Sequence, residues 1–367
     1  MIYKRTLILI IAICFSILGI TQENNSFKKG LHIETDYGYG FLMPHHKSIE
    51  YFLEDHIQTF DLRVSKATYG NKYWNQLYRY PYFGVGYYRS NLGNDNIYGY
   101  SNALYTFIKV PFLGASNKIN LSYQLAFGAS YLTKHFDIDE NYENLAIGSH
   151  LNVFIGLSLQ SSIPLTERLA ITNSVRITHF SNGATKTPNK GINIFTGSIG
   201  LIYQIDPKTP ERIIKDLPEP DTKNEYSIIY SVGTKTISRY DEESYFASSL
   251  ALDYNRNYSA KGRWCAGIDV FFDQTNKEYS TNLDKSDIVD QDLYQIGIHG
   301  GHDLVFGKFA IIINIGGYVY APVETLAPIY SITGMRYRIN NKIITSLTLK
   351  SHWAKASFIG WGVGYVF

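Results

Sequence analysis

Cysteine is nearly missing from this chain: there are two in 367 residues, Cys14 and Cys265. Cys14 lies in the apolar run from Leu7 to Ile20, behind the basic start Lys4-Arg5, and this pattern reads as a secretory signal peptide over residues 1–22. Ile13 stands where lipid attachment wants a small residue, so Cys14 reads as part of the signal and not as a lipoprotein anchor. Cleavage then leaves Cys265 alone, which excludes an internal disulfide even though the compartment permits one. After the signal no run of about 18 apolar residues recurs, which excludes a transmembrane helix. Charge is sparse too. At 18% charged residues, a formal net charge of +2 and no long basic run, nothing electrostatic points to a nucleic-acid partner.

The abundant residues are aromatic and small: 31 Tyr, 20 Phe and 30 Gly. Outer-membrane barrels use such a composition for interfacial rings and curved strands, and a soluble sandwich shares it, so the strand pattern has to decide. Leu151, Val153, Ile155, Leu157 and Leu159 alternate with Asn152, Gly156, Ser158 and Gln160. The same rule governs Leu121 to Tyr131, Trp264 to Phe272 and Phe309 to Ile315. These strands run to about 9 to 15 residues, where soluble strands average about 5 to 6. Longer connections near 42–55, 91–101, 133–146 and 275–288 alternate with short ones at 114–117, 164–167 and 340–342, as in a membrane barrel.

The fold class is therefore all-β, an antiparallel transmembrane β-barrel of about sixteen strands. Eight fall in residues 23–205 and eight in 225–367, with a proline-bearing periplasmic linker at 206–224. The final alternation Ile359, Trp361, Val363, Tyr365, Phe367 resembles the C-terminal signal read by the outer-membrane assembly machinery, which makes that machinery an expected partner and the outer membrane the expected location. One sixteen-stranded barrel and two eight-stranded barrels both remain open. Small residues on the inward faces, such as Ala126, Gly128, Gly156 and Gly362, and the interrupting linker favour two units; the single terminal signal favours one.

Chemistry concentrates at one hairpin tip, Thr178-His179-Phe180-Ser181-Asn182-Gly183, continued through Pro188-Asn189-Lys190-Gly191-Ile192-Asn193. On the seventh strand Val175 and Ile177 share the apolar parity, and His179 and Ser181 fall on that same lipid-facing side. Asn193 has the apolar parity of the eighth strand, and pairing Ser181 with Gly191 sets it opposite His179. A histidine two residues from a serine on one face has the arrangement that general-base activation requires. The bland reading is a solvated polar cluster just above the hydrocarbon edge.

This segment resembles the active-site segment of the lipid A 3-O-deacylases (PagL type, acyloxyacyl hydrolase-like), small outer-membrane barrels that hydrolyse an acyl ester of lipopolysaccharide. The resemblance covers the first half of the chain only. It implies Ser181 as nucleophile, His179 as general base, and Asn182 and Gly183 as oxyanion-hole residues, with lipid A and outer-membrane lipid as partners and no cofactor. The family's third member is a glutamate, and the matching position here is Asn193. In a serine protease triad the acid-to-amide change costs about 10⁴ in turnover, whereas cysteine proteases work with an amide in that place. No substitute acid lies on the outward faces of strands six to eight, and Glu34 and Asp36 have inward parity. The expected function is thus an outer-membrane serine esterase acting on lipid A; the alternative is a non-catalytic barrel, porin-like or structural, with a decayed site.

Weaker signals have plain readings. His45-His46 reads as a solvated loop pair, and Arg176 as a lumen residue paired with an acid. His299 and His302 have opposite parity and point apart, so no metal is expected there. Thr209 to Asp216 reads as one or two helical turns capped by Thr209.

Overall fold

The fold is a computed structural model, which describes residues 28–112, 119–207, 210–217, 219, 222–240, 243–279, 290–323, 327–353 and 355–367. The signal peptide, Cys14 and the turn at 114–117 lie outside the described residues.

The period-two segments become sixteen antiparallel strands. The first eight are β1 (Leu31–Leu42), β2 (Ile57–Ala67), β3 (Tyr82–Asn91), β4 (Tyr100–Pro111), β5 (Asn120–Leu132), β6 (Leu151–Pro164), β7 (Leu169–Ser181) and β8 (Ile192–Gln204). The second eight are β9 (Asn224–Lys235), β10 (Tyr245–Asn257), β11 (Gly262–Asp273), β12 (Tyr294–Phe306), β13 (Phe309–Tyr320), β14 (Ile329–Arg338), β15 (Ile343–His352) and β16 (Lys355–Val366). Each set closes on itself: β1 pairs with β8 (Thr35 opposite Leu201) and β16 with β9 (Trp361 opposite Val232). The chain makes two eight-stranded barrels, which removes the single sixteen-stranded ring.

Both barrels are inside out relative to a soluble protein. Leu104 is 70% exposed and Leu151 71%, whereas Glu34, Asp61 and Arg63 are almost fully enclosed. An apolar exterior of this extent is stable only against hydrocarbon. Side chains fill the first lumen. Arg63 pairs with Asp36 and with Glu34 (3.2 Å), Lys109 pairs with Glu34, and Arg176 pairs with Asp61 (2.5 Å), as expected of an inward arginine. Three cations meet three carboxylates there, and Tyr105 donates to Asp61 Oδ1 at 2.5 Å.

Long connections gather at one end, the loop end, and short ones at the other, the turn end. The exceptions are the β2–β3 connection, residues 68–81, which carries the helix Tyr73–Leu77 at the turn end, and the two-residue β15–β16 connection at the loop end. The β2–β3 connection reaches the second barrel: Tyr78 stacks on Phe306 with centroids 4.3 Å apart and donates to Val305 O at 2.8 Å. The helical turn expected at 209–216 does not form. Residues 210–217 are irregular, because their N–H groups bond outward to the first barrel: Ile213 N to Tyr69 O (2.8 Å) and Lys215 N to Gln76 Oε1 (3.1 Å). Thr209 lies outside the described residues.

Candidate active site

Parity along β7 fixes the site. Thr172, Ser174, Arg176, Thr178 and Phe180 are buried in the lumen and Val175 and Ile177 are exposed, so His179 and Ser181 project outward at the loop end. The β7–β8 register places His179 opposite Asn193, with Ile155 of β6 on its other side. Gly191 makes room for the ring. Its φ of +79° suits only glycine without strain, and a Cβ there would lie 2.9 Å from His179 Cε1.

His179 Nδ1 lies 2.7 Å from Asn193 Oδ1. Whether that contact is productive depends on which way the amide faces, and the β1–β2 loop decides it. Met43 N donates to Asn193 O (2.8 Å), docking this loop on β8. His45 Nε2 is 2.6 Å from Lys190 O, and His45 Nδ1 is 3.2 Å from Asn193 Nδ2. A backbone carbonyl only accepts, so the proton of a neutral His45 sits on Nε2 and its Nδ1 is the acceptor. That fixes Asn193 Nδ2 as the donor to His45 and Asn193 Oδ1 as the acceptor from His179 Nδ1–H. The Nε2 lone pair of His179 is then available as a base. His45, which reads from sequence as a solvated loop residue, thus sets the tautomer of His179 through Asn193. Only the loop's docking reveals it, since 148 residues separate His45 from Asn193.

Ser181 follows His179 on the same face and is 9% exposed; among the described residues its hydroxyl makes no hydrogen bond, so His179 and Ser181 are neighbours without a closed contact. Asn182 is a brace. Its Nδ2 donates to Ser149 Oγ (2.9 Å) and Lys186 O (2.8 Å), and its N–H donates to Asn189 Oδ1 (3.0 Å), so all its donors are engaged. The next two N–H groups, of Gly183 and Ala184, donate to no described residue. Both residues have positive φ, +63° and +69°. Holding its oxygen on Asn182 N–H, Asn189 also keeps its Nδ2 unspent among the described residues. Asn189 belongs to the sequence pattern, but its role depends on this loop geometry.

The second barrel supports the same loop. Thr236 N donates to Ala184 O (2.9 Å), Thr187 N donates to Thr236 Oγ1 (2.8 Å), and a side chain at Gly183 would run into Ile359. At the loop end Arg239 lies over the Phe136 ring at 5.9 Å. Burial, with the guanidinium of Arg239 adding to it, lowers the Lys190 ammonium from its ordinary range.

The other sequence signals separate. His299 points into the second lumen and is 6% exposed, whereas His302 faces outward beside Tyr258, so the two histidines do not form a chelate. Glu34 and Asp36 sit inside the first barrel, away from the outward face of His179.

Comparison with known proteins assigns the two halves separately. The family model for lipid A 3-O-deacylase (PagL) matches residues 58–201, and that for the C-terminal domain of acyloxyacyl hydrolase matches residues 224–367. Among solved structures, the outer membrane enzyme PagL is 17% identical, covering 46% of this chain and 97% of that one with a TM-score of 0.30. Neisserial surface protein A is 13% identical, covering 48% and 97%, also at 0.30. Comparison with curated protein sequences finds no match. The first barrel, over the matched residues 58–201, belongs to the lipid A 3-O-deacylase (PagL) family, and the second barrel matches the C-terminal domain of acyloxyacyl hydrolase.

Proposed function

We propose that the first barrel is an outer-membrane serine esterase that removes an ester-linked acyl chain from lipid A, working at the outer rim where the loop end meets the outer leaflet. Ser181 Oγ attacks the ester carbonyl while His179 Nε2 takes its proton. The tetrahedral oxyanion is met by the N–H groups of Gly183 and Ala184, with Asn189 Nδ2 as a side-chain donor and Asn182 holding the loop that presents them. Collapse expels the sugar alcohol, which recovers the proton from His179, and water then hydrolyses the acyl-serine by the reverse proton path. Val153, Ile155 and Ile177, outward neighbours on β6 and β7, offer the acyl chain an apolar surface continuous with the membrane-facing wall.

The observation that carries this reading is the contact of His179 Nδ1 with Asn193 Oδ1, anchored through His45 to Lys190 O. An amide so anchored supplies the orienting half of a carboxylate's work and leaves the imidazolium without a counter-charge. That missing charge is also what favours the second reading, a non-catalytic barrel. Mass spectrometry of lipid A from Gram-negative cells that express the chain separates them. Loss of one acyl chain, abolished by Ser181→Ala, is the expected result. Intact lipid A in cells where the native chain is present as a folded outer-membrane barrel overturns the esterase.

A further inference from the structure

The second lumen holds a group of side chains that the esterase does not use. Asp253 on β10, Cys265 on β11 and His299 on β12 all point inward, and one ligand atom from each lies within 4.8 Å of the others. Three adjacent strands bring them together. Asp253 is opposite Gly267 and Gly267 is opposite His299, so the glycine stands between the two ligands in one row. A Cβ at Gly267 would lie 2.7 Å from His299 Cε1 and 3.0 Å from Asp253 Oδ1. Its absence lets the two side chains meet over the middle strand, two residues from Cys265.

The two separations that involve His299 are those of ligands around one ion. His299 Nε2 is 3.6 Å from Cys265 Sγ and 3.4 Å from Asp253 Oδ1. A tetrahedral zinc with ordinary bond lengths sets an imidazole nitrogen about 3.5 Å from a thiolate sulfur and about 3.4 Å from a carboxylate oxygen. The opposite ring nitrogen is held as metal-bound histidines usually are: His299 Nδ1 lies 2.8 Å from Asp269 Oδ2, which also accepts from Tyr330 OH at 2.6 Å. That directs the Nε2 lone pair at Cys265 and Asp253.

A second observation is independent of the cysteine. Asp253 is 2% exposed, and its Oδ1 makes no hydrogen bond although it is aimed at the same point. Its Oδ2 is accounted for by Arg336 Nη2 at 2.7 Å. The ion pair of His299 with Asp269 explains Nδ1; toward Asp253 Oδ1 the ring's Nε2 stands at 3.4 Å, an ion-pair separation for a protonated ring that leaves the oxygen without a hydrogen bond. A buried carboxylate oxygen without a donor is costly, and a cation satisfies it.

We propose that Asp253, Cys265 and His299 bind one zinc ion inside the second barrel, with Asp269 as the positioning residue for His299. The set of thiolate, imidazole and carboxylate selects zinc over calcium or magnesium, which prefer oxygen alone. On binding, Cys265 gives up its thiol proton and His299 coordinates as neutral imidazole. When His299 begins protonated, two protons leave as one divalent ion enters, so the charge enclosed in the lumen does not change. The ion ties β10, β11 and β12 together in a barrel with no disulfide.

The test uses the purified full chain in detergent, stripped with a chelator and titrated with cobalt(II) and then zinc. One cobalt per chain, a near-ultraviolet thiolate-to-cobalt band, its displacement by zinc and its loss in Cys265→Ser are the expected results. Asp269→Asn should weaken zinc about 10- to 100-fold while the barrel keeps its heat-modifiable gel migration. Should Cys265→Ser fail to fold, zinc-edge X-ray absorption on the native chain still decides, through one sulfur neighbour at about 2.3 Å. No metal uptake by the folded native chain, or a zinc shell of nitrogen and oxygen only, overturns the site.

Discussion

The last hairpin of each barrel occupies the same place in its ring, yet β7 and β8 are joined by residues 182–191 and β15 and β16 by 353–354 alone. The longer loop carries the left-handed pair Gly183-Ala184 and returns Asn193 to His179; the shorter one has no room for either. The lumens differ in the opposite sense. In the first barrel three cations and three carboxylates neutralise one another, whereas the second adds a histidine and a thiol beside Asp253 and Asp269. One strand plan therefore holds its polar chemistry on the outside rim in one copy and on the central axis in the other. The barrel sets parity and curvature, and loop length and lumen composition decide what each copy does.

The largest expected effect that tests this contrast is on stability. Arg63→Met leaves Asp36 buried without its cation and Glu34 with Lys109 alone, and breaking such a network costs about 3 to 5 kcal/mol. Urea unfolding followed by gel migration should show the first barrel opening earlier while the second keeps its midpoint. A joint shift of both would mean the two rings unfold as one unit.

A smaller effect concerns the amide. Asn193→Glu should keep or raise the rate of lipid A deacylation, and Asn193→Ala should lower it about 10- to 100-fold by freeing the imidazole to adopt the wrong tautomer. His45→Phe, which removes the anchor on the amide, should fall between native and Asn193→Ala. Equal rates in all of these variants would show that no third member operates.

The smallest effect crosses between barrels. Thr236→Val removes the acceptor for Thr187 N and the donor to Thr187 Oγ1, two hydrogen bonds of about 0.5 to 1.5 kcal/mol each, and should slow deacylation a few-fold without touching a catalytic group. An unchanged rate would confine the second barrel's contribution to its own lumen.

Much of this is legible in the sequence, for a reason that also sets its limit. Alternation such as Leu151 to Leu159 against Asn152 to Gln160 specifies strand, face and bilayer at once, because a barrel strand sees lipid on one side and lumen on the other. The same alternation is identical in a ring of eight or sixteen, so closure awaited the pairing of Thr35 with Leu201 and of Trp361 with Val232. His179, Ser181 and Asn193 were readable because a hairpin makes near neighbours in sequence near neighbours in space. His45 was not, since it arrives on another loop. The grouping of Asp253, Cys265 and His299 was hidden for a related reason: parity along one strand separates His299 from His302, but only cross-strand register shows what His299 meets instead.

The stacked pair Tyr78 and Phe306 at the turn end and the bond from Thr236 to Ala184 at the loop end have a thermodynamic consequence. Within a bilayer, lipid tails are as apolar as the barrel walls, so two separate rings would gain little by meeting side to side. Carried on one chain, the rings meet by an intramolecular step, at an effective concentration that a short tether holds on the order of millimolar. A few weak contacts then suffice to keep the second ring permanently beside the β7–β8 loop of the first.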